Sequence, residues 1–454
     1  MNADLLRDPV AAWSPFEPTA ATPWNKRLAA HLFRRVGFGA TVDELTTAAE
    51  QSPAEAVAKL LNGPPADLAF ERQMQATADT VRAGGNAENL SAWWLYRMRY
   101  TPDPALEKLT LFWHGHFATS AAKVKDMAAM FAQNELLRRD ARGDFTRMTQ
   151  AISRDPAMLT YLDATVNRKT HPNENYAREL LELFCLGLGN YKERDIQEVA
   201  RAFSGGELRH GTFQFNPYQH DRGAKTFFGR TGNFGGEEAV RIVCEQPAAP
   251  RFIATKLYRF FIADEPQPTP ELIEPLAKQL RDDRFQLQPT LNRMLGSRLF
   301  FSEAALGRKV RSPIELAIGV LRSLEGSTNL YRLATDLGQL GQSPFFPPNV
   351  KGWDGGRTWI NSATLIGRGN LIGRLVRDRQ HQFAGGTLAT FAEKHGLKSP
   401  EQIVDGLSEL LVAVPPPASV RTQLIQLANA GGDPVDRLAN VIHTLGALPE
   451  FQLG

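Results

Sequence analysis

Apolar residues recur at three- and four-residue intervals along most of the 454-residue chain, the period of helices buried on one side. The pattern predicts helices over residues 90–100, 103–117, 126–142, 175–186, 195–203, 237–245 and 249–263. Three shorter helices are announced upstream by their caps: Thr22 before Pro23, Thr41 with Glu44 three residues later, and Ser52-Pro53 with Glu55. A hydroxyl at the cap accepts from the first free amides, and the glutamate returns the bond.

Two segments break the helical period. Residues 205–236 hold eight glycines, with alternating aromatics in Thr212-Phe213-Gln214-Phe215 and in Lys225-Thr226-Phe227-Phe228 on either side of Asp221-Arg222-Gly223. Alternation flanking a turn predicts a β-hairpin whose tip carries His220 and Asp221. Residues 342–356 are too rich in proline and glycine for continuous helix. Helical periodicity returns from about Ala363, with a break at Gly385-Gly386 and a stop at residues 415–417. The expected fold is mainly α, a compact multi-helix domain with a small β-hairpin insertion. Residues 1–22 read as an extension, 23–378 as the main helical unit, and 379–454 as a C-terminal helical extension packed upon it.

Composition narrows the class. With 43% hydrophobic residues, a chain of this length buries a core without disulfides or a structural metal. The 52 basic and 49 acidic residues leave a formal charge of +3, spread without blocks, so nothing calls for nucleic acid. Cys185 and Cys244 both lie in apolar helical runs outside any CxxC spacing, which argues against a disulfide framework or a cysteine zinc site. The first residues lack a basic stretch followed by an apolar one, and the most apolar segment, 252–263, contains Lys256 and Arg259. No membrane span is expected, and the start of the chain reads as cytoplasmic rather than exported by its own signal.

Candidate chemistry concentrates in three places. Five of nine histidines fall within 114–220. In Trp113-His114-Gly115-His116-Phe117 the two imidazoles reach one site only if Gly115 ends or distorts the helix, because two residues turn a regular helix by about 200°; the structural alternative is one ring in an aromatic core and one capping the helix. In the run from His171 to Phe184, Ala177, Leu180, Leu181, Phe184 and Leu188 make an apolar stripe, with Asn175, Arg178, Glu179 and Glu182 opposite and Glu174 at the edge. Such a face can hold a metal or an anion, or serve as an ion-pair network. His220-Asp221 offers an imidazole and a carboxylate, although turns also recruit aspartate for their own amides. A last loop sets Trp353, Asp354 and Trp359 together, an aromatic platform suited to a sugar, a peptide or a docked partner. Walker A, GxGxxG, HExxH and GxSxG signatures are absent.

Taken in order, Arg34-Arg35-Val36-Gly37-Phe38-Gly39, the 111–120 stretch around Trp113-His114-Gly115-His116-Phe117, Asn173 to Phe184, His220-Asp221 and Pro347-Pro348-Asn349-Val350-Lys351-Gly352-Trp353 resemble the bacterial domain-of-unknown-function family numbered eighteen hundred, from about Ala29 to Asn370. The resemblance implies no reaction. It implies a gene neighbourhood shared with an exported, sulfatase-like family, hence a sulfatase-like partner protein and export together with it as an alternative to a cytoplasmic location.

From these residues the leading expectation is a metal-dependent enzyme, a hydrolase or oxidoreductase acting on a polymer or anionic substrate. His114, His116 and His220 would ligate zinc, iron or manganese; Glu174, Glu179, Glu182 or Asp221 would supply a further ligand or base, and Arg178 would hold an anionic group. The rivals are a non-catalytic helical scaffold docking a partner, and a carbohydrate-binding protein using Trp353, Asp354 and Trp359.

Overall fold

Both anticipated capping boxes form in the structure, a computed structural model that describes residues 5–454. Glu44 N donates to Thr41 Oγ1 at 3.2 Å and Thr41 N to Glu44 Oε2 at 2.7 Å; Ser52 and Glu55 repeat the exchange at 3.3 and 2.9 Å. The helix expected from Pro23 begins instead at Lys26, because Asn25 accepts from Leu28 N at 3.1 Å and is the better-placed cap. Among the described residues 25 α-helices carry the fold, and none is long and apolar enough to cross a membrane.

The helix Pro104–His116 runs through the middle. All its residues except Leu106 and Gly115 are buried, and it packs against Lys26–Val36, Pro53–Asn62, Ala87–Tyr100 and Met127–Asp140. A helix surrounded this way must be apolar all round or pair every charge. Glu107, fully buried, accepts from Trp94 Nε1 at 2.8 Å, Arg97 Nε at 2.7 Å and Arg138 Nε at 2.6 Å. Burial alone would raise its pKa; Arg138 and Arg97 outweigh that and hold it down to about 2. Lys108, equally buried, donates to Gly37 O at 3.0 Å and meets Glu315 Oε1 at 2.5 Å, tying the Arg34–Gly39 motif to the helix Pro313–Ser323.

The glycine-rich insertion departs from the expected single hairpin. Gly206–Arg209 pairs with Thr212–Phe215, and Lys225–Phe227 with Arg230–Gly232, as two separate antiparallel hairpins. Their turns are His210-Gly211 and Phe228-Gly229, both at positive φ, so each aromatic run pairs locally rather than across Asp221-Arg222-Gly223. His220 and Asp221 therefore lie in the connection between hairpins, not at a tip. A second departure follows the helix Asn175–Glu179, which continues as a π-helical turn over Leu180–Cys185. Gly187, at φ +80°, then turns the chain outward and leaves Leu188 75% exposed, outside the stripe that a regular helical period assigns it. The C-terminal helices fold back: Ser362–Arg377 packs on Pro434–Ala447, and Pro400–Leu411 on Lys26–Val36.

Candidate functional site

The central helix ends where Phe117 N donates to Trp113 O at 2.8 Å, and each aromatic of that end ties it to another segment. Trp113 Nε1 donates to Ala141 O at 2.9 Å. His114, buried beside Trp94, Phe345 and Trp353, accepts from the Phe345 amide through Nε2 at 3.2 Å. Burial alone lowers its pKa to about 3, so the ring is neutral. His116 places Nε2 3.0 Å from Phe184 O; a carbonyl only accepts, so Nε2 carries the proton and Nδ1 keeps a bare lone pair. Burial, helped by Lys256, holds its pKa well below the usual histidine range. Gly352 admits the 342–359 segment against the helix end: a Cβ on it would stand 2.1 Å from Gly115 O.

That contact forms one wall of a cleft of about 150 Å³ between the helix end, the helix Ala248–Phe261 and the loop carrying Trp353. His116, Trp353, Asp354 and Trp359 line it together with Lys256, Arg259, Lys309 and Lys351. Lys309 is committed to Asp264 at 2.9 Å, and Glu315 to Lys108. Lys256, Arg259 and Lys351 have no carboxylate within 4.0 Å among the described residues, since none of the ion pairs includes them. Desolvation and the neighbouring Arg259 lower the pKa of Lys256, against the pull of Asp354. Two polar atoms of the lining residues, His116 Nδ1 and Trp353 Nε1, are buried without a partner, one an acceptor and one a donor. The cleft is thus cationic, partly aromatic and short of hydrogen-bond partners.

The other anticipated residues lie elsewhere and are bonded to their neighbours. Arg178 is held by Glu174 at 3.2 Å and Glu193 at 2.5 Å, and Glu182 accepts from Tyr191 Oη at 2.7 Å. Glu179 is also outside the cleft lining: burial and Glu182 raise its pKa, while Arg178 and Lys351 oppose the rise. His220 Nδ1 lies 2.9 Å from Ser204 O, its ring against Phe215. Asp221 accepts from Arg201 Nε at 2.7 Å and Gly223 N at 2.7 Å, and the Arg201 bond lowers its pKa. Among the described residues no group of three or more His, Cys, Asp or Glu side chains is placed to hold a metal ion.

Of the residues singled out in the sequence, the cleft brings together His116, Trp353, Asp354 and Trp359; Lys256, Arg259 and Lys351 beside them are not among those singled out. Lys256 and Arg259 break an otherwise apolar run, and that break is the signal the sequence offers. Lys351 stood inside the Pro347–Trp353 motif without an assigned role.

Comparison with known proteins adds the family. Its sequence profile, described as a protein of unknown function, DUF1800, matches residues 31–453, reaching through the C-terminal helices beyond the motifs that end near Asn370. No curated protein and no solved structure matches the chain. With almost the whole length matched, the chain belongs to the DUF1800 family of proteins of unknown function.

Proposed function

We propose that the cleft beside Trp353 binds an anionic glycan or a comparable acidic polymer, one residue at a time. The observation that carries this reading is the set of three cations, Lys256, Arg259 and Lys351, unpaired with any described carboxylate and gathered on a cleft lined by two tryptophans. Long basic side chains at a protein surface usually find carboxylates or spread apart; three left over in one concavity suit carboxylate or sulfate groups, and indole faces suit a sugar ring. At about 150 Å³ the space is below the ~300–1,000 Å³ of a pocket enclosing a drug-sized ligand, which favours a segment of an extended chain.

Binding is better supported than metal-assisted chemistry. His114 gives its acceptor nitrogen to the Phe345 amide, and although His116 keeps a free Nδ1, among the described residues no group of three or more His, Cys, Asp or Glu side chains is placed around it to hold a metal ion; Asp354 is the cleft carboxylate free of an ion pair among the described residues. A partner-docking role, with a sulfatase-like protein as the occupant, draws on a different surface: Tyr218 and Phe215, 81% and 54% exposed beside the first hairpin.

The test is charge reversal. A Lys256→Glu, Lys351→Glu protein is expected to lose retention on an immobilised acidic polysaccharide at low salt while keeping its circular dichroism spectrum. Unchanged retention rejects the cleft as the binding site.

A further inference from the structure

Behind the cleft, and sharing Lys309 and Glu315 with its lining, lies a smaller cavity whose charge does not balance. Six cations gather around it: Arg34, Arg35, Lys108, Lys309, Arg311 and Arg368, each no more than 9% exposed. The carboxylate side chains that meet them are Asp264, bound to Lys309 at 2.9 Å, and Glu315, bound to Lys108. The four arginines have no carboxylate within 4.0 Å among the described residues; what they meet are neutral oxygens. Arg35 donates to Ala305 O at 2.8 Å, Arg311 to Leu411 O at 2.7 Å and Leu453 O at 2.9 Å, and Arg368 to Gln452 Oε1 at 2.6 Å.

Several guanidinium nitrogens are not satisfied even by carbonyls. Arg34 Nε and Nη2, Arg35 Nε and Nη1 and Arg368 Nη1 are buried without a partner. Nε and Nη2 together are the side-on edge of a guanidinium, the fork that takes two atoms of an anion or one atom shared between both donors. Arg34 and Arg35 both line the cavity, as do Arg311 and Lys309. A buried charge without a counter-charge costs several kcal/mol by order of magnitude, and adjacent like charges add to that. The sequence sets two such charges side by side at Arg34-Arg35.

We propose that this cavity is an anion site, occupied by a small monovalent anion of the size of chloride or formate. Size sets the class. The space is about 20 Å³, against the ~10–15 Å³ that admits one water, so a hydrated polyanion or a tetrahedral oxyanion does not enter. Charge sets the sign: Glu315 is the acidic side chain of the lining and is already bound to Lys108, and against it and the Gly454 end stand Arg34, Arg35, Lys309 and Arg311. The site is distinct from the open cleft, whose cations Lys256, Arg259 and Lys351 do not line it, and its anion braces Lys26–Val36 against the C-terminal helix Pro400–Leu411, which presents Leu410 and Leu411 to the same cavity.

Thermal unfolding of protein desalted into sodium MES, a bulky anion, then titrated with chloride, formate or sulfate at constant ionic strength tests the assignment. Chloride and formate are expected to raise Tm in a saturable way, as ligands that bind only the folded state do, with sulfate giving no rise; calorimetric titration of chloride into the folded protein should show the same saturation. Arg34→Met and Arg35→Met are each expected to abolish the chloride response, and Arg34→Met to unfold in MES no earlier than the wild type. Lys256→Glu, Lys351→Glu protein should keep the full response, which separates this site from the glycan cleft. A wild-type Tm indifferent to the anion, an equal rise with sulfate, or a chloride response retained by Arg34→Met overturns the proposal; the wild-type series decides even if a variant fails to fold.

Discussion

The amide of Phe345 donates to Nε2 of His114 across 3.2 Å, so a histidine of the central helix is the acceptor that fixes the loop carrying Trp353. The bond requires a neutral ring with its proton on Nδ1. His114 thereby positions the cleft wall rather than meeting a ligand itself.

Acid should loosen this arrangement. Folding lowers the pKa of His114 to about 3 and also lowers those of His31 and His116, in each case first through burial. A folded pKa below the unfolded value of about 6.5 means that the unfolded state binds the proton more readily, so stability is full above pH 6.5 and falls as the pH drops toward 3, by about 1.4 kcal/mol per pH unit for each such histidine. His114→Gln keeps an acceptor for Phe345 and removes one titration. Urea midpoints between pH 7 and 4 are expected to fall less steeply in the variant; parallel curves would show that His114 is not held neutral.

Glu107 carries the greatest single structural load among the charges of the central helix. Glu107→Ala leaves Arg97 with Glu71 and Arg138 with Glu135 but strips Trp94 Nε1, Arg97 Nε and Arg138 Nε of their buried acceptor, and is expected to cost about 1–3 kcal/mol by chemical denaturation. A loss below about 1 kcal/mol would mean that Glu71 and Glu135 suffice for the two arginines.

Gly352 sits at φ +78°, and a Cβ there would meet Gly115 O at 2.1 Å. Gly352→Ala must therefore move the loop or the helix end. A stability loss of more than about 1 kcal/mol, with altered Trp353 fluorescence and weaker glycan binding, is the expected outcome. Wild-type stability and binding would show that the close approach is dispensable.

Much of this was legible in the sequence because it is local. The capping boxes at Thr41 and Ser52 and the long amphipathic helices follow from short-range chemistry. So does the interrupted segment at 342–356, whose prolines and glycines exclude helix. The sequence pattern predicts one hairpin where two form, because the alternation of Phe213 and Phe215 fits either pairing and the local turns at His210-Gly211 and Phe228-Gly229, at positive φ, decide it. The site was half legible: His116, Trp353, Asp354 and Trp359 stand out as residue types. Lys351 looks like an ordinary surface lysine until the fold sets it on one cleft with Lys256. The buried pairing of Glu107 had a signal too, two adjacent charges in a helix otherwise apolar all round, whose partners at Arg97 and Arg138 no spacing rule connects.

The most direct measurement is a tryptophan-fluorescence titration of the wild-type protein with an oligogalacturonate and, separately, with its fully methyl-esterified counterpart, which keeps the sugar rings and removes the charge. Saturable quenching by the acid, weakened by salt and at least tenfold weaker with the ester, is the result expected of an anionic-glycan cleft. Equal affinity for both, or no response to either, would contradict it.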